Sequence, residues 1–318
     1  MKMMYGMLTA LAPVALYALY AYRLRALLMM ITGVLSAMAA EAIYQKLAGR
    51  KKITATDGSA AITGLLLALA TSVSTPLYAI AVSTAFGVIV GKQMLGGLGK
   101  NLFNPMLYGR LFYLFVFPDS ILPWRQPADL TTSFAAMPAD LVTRATPLEL
   151  LREHGSTSAV MEEMQALGFS GVPLFDMFMG RLPGTIGEIS AFMVLLGAAY
   201  LLYRGWLRWR VPAAAFVVVL IAALLLGHNP LFHLFAGSLM IGAVFMATDP
   251  MTSPKYPKGQ ILFGVGIGAI IMAMRLWGWQ TPGEYEFTEG TTFAILLMNL
   301  TVPAFDKWFK PVRKAVKK

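Results

Sequence analysis

Ten apolar runs, each close to the length that crosses a bilayer, limit this chain to very few folds. They cover about 4–22, 25–45, 58–74, 76–95, 101–118, 186–203, 211–227, 230–249, 259–277 and 290–308. A helix needs roughly 20 apolar residues to traverse about 30 Å of hydrocarbon, and lipid gives an unpaired backbone amide no partner. Such runs must therefore close their hydrogen bonds internally, as helices or as a closed barrel. None alternates with the two-residue period of a barrel strand, which leaves helices. Apolar residues make up 57% of the chain and charged residues 13%, a balance no ordinary soluble domain shows. The sequence predicts an all-α integral membrane protein of about ten transmembrane helices.

The net charge of +10 follows the topology. With the N-terminus inside, Lys46, Arg50, Lys51, Lys52, Lys92, Lys100, Arg204, Arg208, Arg210, Lys255, Lys258 and the tail from Lys307 to Lys318 all fall on the cytoplasmic side. This is the positive-inside bias, and only the first outer turn, with Arg23 and Arg25, departs from it. Both termini are predicted to be cytoplasmic in a cytoplasmic (inner) membrane. The division is a five-helix half over 1–118, an extracytoplasmic loop over 119–185, and a second five-helix half over 186–318. The basic tail reads as an orientation signal or a contact with anionic membrane lipid, not as a nucleic-acid site. The first run is of spanning length and lacks a small-residue cleavage site, so it predicts a retained helix.

Several chemistries are closed to the chain. It has no cysteine, which excludes disulfides, thiolate zinc sites and cysteine-held iron–sulfur clusters. Its histidines, His154, His228 and His233, are too scattered to predict a metal site, and the last two flank a helix boundary at Asn229-Pro230.

The two halves look related. Gly64, eleven residues, then Pro76 matches Gly242, eleven residues, then Pro254, each with a Ser/Thr-rich ending; Asn101-Leu102-Phe103-Asn104-Pro105 matches Asn299-Leu300-Thr301-Val302-Pro303. Five spans per half force opposite orientation, so the expectation is two inverted five-helix repeats with a site where helices are interrupted. Gly96 to Pro105 combines a flexible turn with Asn-Pro, offering either a tight turn or a helix N-terminus open to a polar ligand. Carboxylates at the edge of lipid are costly and tend to be functional. Glu41, Asp57, Glu188, Asp249 and Asp306 qualify, with Glu188 expected in the first turn of the sixth span and Asp57, Glu188 and Asp249 the preferred ion-pathway residues.

One polar stretch carries a more specific signal. Asp140-Leu141-Val142-Thr143-Arg144-Ala145-Thr146 has a carboxylate, two spacers, a hydroxyl residue, a spacer, then Ala-Thr. This resembles the acceptor onto which flavin transferases load FMN through a phosphoester to the last threonine. Arg144 stands where such acceptors usually have glycine; Asp140, Thr143, Ala145 and Thr146 keep the pattern. The plainer role of Thr146 is a helix N-cap before Pro147-Leu148-Glu149, and the two roles are compatible.

Further stretches widen the resemblance: Asp57-Gly58-Ser59 leading into Thr63-Gly64, the run Gly96 to Pro105, Pro183 to Ser190, Phe245 to Pro250, Glu289-Gly290, and Phe293 to Asn299. Together they resemble the D-type members of Rnf complexes, ferredoxin:NAD oxidoreductases that pump Na⁺ or H⁺, and their homologues, the B-type members of the Na⁺-translocating NADH:quinone reductase. The quinone-reductase homologues carry a longer cytoplasmic N-terminal segment, which favours the Rnf side. The resemblance implies a membrane subunit of a translocase with no complete active site of its own, relaying electrons across the membrane. It implies covalent FMN on Thr146, with Asp140, Thr143 and Ala145 as recognition residues, and a second, non-covalent riboflavin near the helical core, for which Asn101 and Asn104 are the candidates. The partners it implies are the other Rnf components: the flavin-bearing G-type, the membrane-embedded A- and E-types, the ferredoxin-facing B-type and the NAD-facing C-type. A flavin transferase is implied for maturation. FMN exchanges one or two electrons, so a tethered ring can join different carriers. Two rival readings fit the helices alone: a solute channel or carrier of urea-transporter-like architecture, which needs no acceptor hydroxyl, and a scaffold bundle inside a larger assembly.

Overall fold

The computed structural model describes residues 2–120, 124–128, 133–135, 141–167, 172–277 and 290–311. Asp140, Glu289 and the end of the basic tail lie outside them. The described residues are mostly helical and form no strand beyond an isolated antiparallel bridge between Arg125 and Thr143.

The helices are α1 Lys2–Leu47, α2 Ser59–Leu69, α3 Leu77–Val88 continued by a π turn Ile89–Gln93, and α4 Pro105–Val116. Then come α5 Pro147–His154, α6 Thr157–Ala166, α7 Pro173–Met179, α8 Ala191–Tyr203, α9 Arg210–Leu225 and α10 Pro230–Phe235. The short α11 Leu239–Ile241 runs into a second π turn Gly242–Met246, and α12 Pro257–Trp277, α13 Gly290–Asn299 and α14 Val302–Trp308 complete the order.

Each expected run contains helix, but the lengths differ from expectation. Among the described residues only α1 and the stretch from Pro257 to Leu276 are long and apolar enough to cross a membrane by themselves. Two causes account for this. The first two runs join in α1 through a kink at Arg23 (φ 54°, ψ −139°) instead of separating at a turn. Several others are cut short by Ser, Thr, Gly and Pro: α2 has 11 residues, about 16 Å of helix.

The kink sits where the long connection crosses the bundle. Leu24 N–H donates to Phe134 O (3.0 Å), Ala128 N–H to Ala21 O (2.7 Å), and Tyr22 OH to Arg125 O (3.1 Å). A non-glycine residue at positive φ is strained, and these contacts from both sides of Arg23 hold it there.

Where α2 stops, Thr71, Ser72 and Thr75 continue as irregular chain that is buried. Buried backbone must find partners, and here other segments supply them. Arg25 donates to Val73 O (3.2 Å) and Thr75 O (2.5 Å). Ile186 N–H donates to Thr71 O (3.1 Å) and Gly187 N–H to Leu69 O (2.7 Å). Past the second π turn the same thing recurs: Thr248, Thr252 and Ser253 are buried, and Arg208 donates to Ser253 O (2.7 Å).

Packing relies on close backbone approach, as is usual where lipid removes the driving force for helix association. A Cβ on Gly64 of α2 would lie 2.1 Å from Gly33 O of α1, and one on Gly33 would lie 2.4 Å from Gly64 O. One large apolar cluster runs through the bundle, from Leu11 and Met29 on α1 through Leu67 and Phe245 to Ile267 and Ile295. A second, smaller cluster of Leu150, Leu151, Val160, Met164, Met177 and Phe232 fastens α5 to α7 onto α10. The stretch expected as a loop over 119–185 therefore contains a small helical cap.

Candidate functional site

The acceptor segment is laid out by its neighbours. Leu141 to Thr146 runs extended beside 124–126, with Gln126 N–H donating to Val142 O (2.8 Å) and Arg144 N–H to Trp124 O (3.3 Å). Arg125 donates to Leu141 O (3.0 Å) and to Thr143 Oγ1 (2.6 Å), so the motif hydroxyl at Thr143 is held by a guanidinium. Ala145 is exposed. The charge of Arg144 would suit a flavin phosphate, yet its guanidinium donates to Leu167 O (2.8 Å), because a carbonyl of the α6 end lies within its reach.

Thr146 is the N-cap of α5, as Pro147 and Glu149 foretell. Glu149 N–H donates to Thr146 Oγ1 (3.3 Å), and Glu149 Oε2 accepts from Thr146 N–H (2.6 Å), a reciprocal capping box. Glu149 Oε1 accepts from the Trp124 indole (2.7 Å). Thr146 is half-buried and lines a cleft of about 570 Å³ with Trp124, Leu148, Phe235, Gly237 and Glu188. Trp124, Leu148 and Phe235 give it apolar and aromatic walls, and Thr146, Glu188 and Ser238 contribute polar groups. Glu188 precedes α8 instead of lying in its first turn, because Ser190 takes the N-cap, accepting from Met193 N–H at 3.3 Å.

A second cleft of about 720 Å³ lies at the opposite end of the bundle. Ser59, Lys92, Asn101, Asn104, Thr248 and Asp249 are among its lining. Gly96, Gly97 and Gly99 all take positive φ, giving the tight turn, and Asn104 then starts α4: its Oδ1 accepts from Met106 N–H (3.0 Å). The tight turn and the helix N-terminus expected of this segment are both present. The Asn104 amide also donates to Met246 O at 3.4 Å, a carbonyl freed by the second π turn, and Asn101 accepts from Gly99 N–H (3.1 Å). Asp249 accepts from Met251 N–H (3.3 Å) and Thr252 Oγ1 (3.1 Å).

The structure thus sorts the candidate residues into two groups. Thr146 and Glu188 share one cleft; Asn101, Asn104 and Asp249 share the other. Asp57 stands behind the second, its Oδ1 accepting from Ser59 Oγ at 2.5 Å. His228 and His233 stack edge to face, their ring centroids 5.3 Å apart, beside Asn229, which caps α10. Sequence reasoning missed Lys92, counted only as an orientation charge. It is 1% exposed and paired at 2.7 Å with Glu41, which is fully buried. The available signal was a lysine inside the apolar run 76–95.

A family model described as NQR2, RnfD, RnfE matches residues 1–314. The chain belongs to this family. Its similar relatives include the D component of the proton-translocating ferredoxin:NAD(+) oxidoreductase complex of Clostridium ljungdahlii, 35% identical over 98% of this chain and 91% of that one. The Na(+)-translocating counterpart of Acetobacterium woodii is 38% identical over 97% and 89%. The D component of the ion-translocating oxidoreductase complex of Stutzerimonas stutzeri is 32% identical over 98% and 90%. Each is named as a subunit of a translocating oxidoreductase, so the family match agrees with the resemblance carried by the motifs.

Proposed function

We propose that the chain is the D-type subunit of a redox-driven Na⁺ or H⁺ pump of the ferredoxin:NAD⁺ oxidoreductase class, and that it relays electrons across a cytoplasmic membrane while carrying FMN on Thr146. The observation that carries this reading is the position of Thr146, which lines a cleft walled by Trp124 and Phe235. A threonine serving only as a helix cap needs no such space beside it. Membership of a family whose relatives are named as translocating oxidoreductase subunits supports the same reading.

FMN bound here supplies one- and two-electron exchange. The chain's own residues do the rest. Thr146 tethers, Arg125 fixes the segment through Thr143, and Trp124 and Phe235 wall the cleft. Glu149 fixes the Thr146 hydroxyl at the start of α5 through its backbone N–H. Asn101 and Asn104 suit a second, non-covalent riboflavin in the opposite cleft, offering amide donors and acceptors to a ring edge.

We read the ten runs as ten crossings in two inverted halves around 119–185, with both termini cytoplasmic and Thr146 extracytoplasmic. The buried Ser/Thr-rich breaks after α2 and after the second π turn support this, since they stand at the paired positions Gly64 to Pro76 and Gly242 to Pro254. Asp57, Asp249 and Glu188 are the ion-pathway residues in this reading. Other components of the complex, among them a flavin-bearing one, membrane-embedded ones and those facing ferredoxin and NAD, supply and accept the electrons, and a flavin transferase matures the chain. The test is ultraviolet illumination of a denaturing gel. A fluorescent band at this chain's mass, lost in Thr146→Val, supports the assignment; a dark band from cells with an active flavin transferase favours the solute-carrier reading.

A further inference from the structure

Helices α9 and α12 lie side by side and run in the same direction. A Cβ on Gly264 would collide with Val211 O and lie 2.9 Å from Ala214 Cβ; one on Gly268 would lie 2.6 Å from Ala215 O and 3.0 Å from Val218 Cβ. The contacts step by four residues in the same sense on both helices. This register puts Arg210, the first residue of α9, about one turn of helix from Lys258, the second of α12. Each helix also presents an apolar stripe away from the bundle: Val217, Ile221 and Leu224 on α9, and Ile261, Leu262 and Val265 on α12, all exposed. Gly264 and Gly268 put no side chain at the contact, so the two stripes adjoin, and both begin at the same end with a cation.

Trp209, just before Arg210, is 51% exposed, and the Arg210 guanidinium stacks over its ring at 5.0 Å. Stacking engages the face of a guanidinium and leaves its N–H edge to donate. Lys258 is exposed. Among the described residues neither Arg210 nor Lys258 is paired with a carboxylate. Arg208 of the same connection serves differently: it donates to Ser253 O (2.7 Å) and Ser253 Oγ (2.6 Å). Asp306, an acid at this end of the bundle, accepts from the backbone N–H of Lys255 (2.8 Å). Two cations and an exposed indole at the foot of two apolar stripes match an acidic phospholipid part by part. Acyl chains lie on the stripes, the indole sits at the polar boundary, and the headgroup phosphate meets the cations. We propose that the foot of α9 and α12 is a seat for one acidic phospholipid, held by Arg210 and Lys258. Charge complementarity selects it over a zwitterionic lipid, whose headgroup would bring an ammonium of its own to the two cations. The seat needs only that these runs cross the membrane; the orientation proposed above then places it in the cytoplasmic leaflet.

The experiment is native mass spectrometry of the full chain in mild detergent, with phosphatidylglycerol or phosphatidylcholine of identical acyl chains as the probe. The unaltered chain should hold one phosphatidylglycerol at least about fivefold more tightly than phosphatidylcholine, the factor that one basic residue near an anionic headgroup supplies. Arg210→Gln or Lys258→Gln alone should weaken phosphatidylglycerol binding about fivefold and leave phosphatidylcholine binding unchanged. The exchange Arg210→Lys/Lys258→Arg should keep most of the preference. Lys51→Gln/Lys52→Gln removes two exposed charges from the connection between α1 and α2, controls for net charge, and should bind like the unaltered chain. Equal affinity for the two lipids overturns the proposal, as does a loss in the control equal to the loss in the seat variants. Competition by glycerol 3-phosphate at the concentration of the lipid would assign the cations to a free anion and overturn it too. If a seat variant does not fold, crosslinking of a photoactivatable phosphatidylglycerol to the unaltered chain decides. Adducts within 209–217 or 258–265 are expected, and adducts confined to other segments overturn the proposal.

Discussion

Thr146 and Glu149 hold each other in a fixed arrangement: the threonine hydroxyl accepts the Glu149 N–H at 3.3 Å, and the glutamate returns a carboxylate oxygen to the Thr146 N–H at 2.6 Å. Trp124 adds its indole N–H to the other carboxylate oxygen at 2.7 Å. An ester oxygen at this position keeps its lone pairs and can go on accepting from the Glu149 amide, so attachment and capping are compatible. The start of α5 is also the end of its dipole that favours a phosphate.

Glu149 should accordingly act on attachment without being required for it. Glu149→Ala removes one half of the capping box, a loss of about 1 kcal/mol at the start of α5, and frees Trp124. In-gel fluorescence should fall severalfold while the band persists. Glu149→Gln, which retains an acceptor oxygen, should recover most of it. Equal fluorescence in all three proteins would show that the box plays no part in presenting the hydroxyl.

The contact of Gly33 with Gly64 makes a different demand. A methyl at Gly64 would meet Gly33 O at 2.1 Å, so α1 and α2 would have to separate. Gly64→Ala should lower stability by about 1–3 kcal/mol, the usual range for overpacking. The melting temperature in detergent reports it, and an unchanged value would mean the two helices are less closely apposed.

Removing one partner of the Lys92–Glu41 pair should be far worse than removing both. A single Lys92→Met or Glu41→Gln strands a buried charge or its polar partners, a loss of about 3–5 kcal/mol, whereas replacing both can be near neutral. Folded yields of the three variants in membranes check this. Additive losses would indicate that the two charges do not interact.

Asp249 and Asp57 flank the same cleft from different elements. Replacing each by Asn keeps the shape and one acceptor oxygen while removing charge. In reconstituted vesicles, Na⁺ or H⁺ uptake should slow at least severalfold more than electron transfer. Equal loss of both would assign the two carboxylates to structure alone.

Much of this was legible in the sequence for identifiable reasons. Runs such as 259–277 are apolar but for Gln260 and Arg275, so helix is the only outcome lipid permits, and α12 follows. Thr146, Pro147 and Glu149 spell a helix start locally, and the capping box appears there. Helix lengths were less legible, because the end of α2 is set by remote groups: Arg25 and the backbone of Ile186 and Gly187 satisfy carbonyls that would otherwise require another turn of helix. The grouping of Asn104 with Asp249, and of Thr146 with Glu188, depends on how distant segments meet, which one chain read alone does not encode in any short pattern. Lys92 was passed over because its charge fitted a topology rule, and only its partner, fifty-one residues away, separates a buried ion pair from a loop lysine.

The claim on which the account turns is the flavin phosphoester at Thr146. Intact-mass measurement of the chain matured in cells with an active flavin transferase tests it most directly, with fragmentation to locate the adduct. The account requires one FMN-sized addition on Thr146, absent from Thr146→Val; an unmodified chain, or an adduct on another residue, would contradict it.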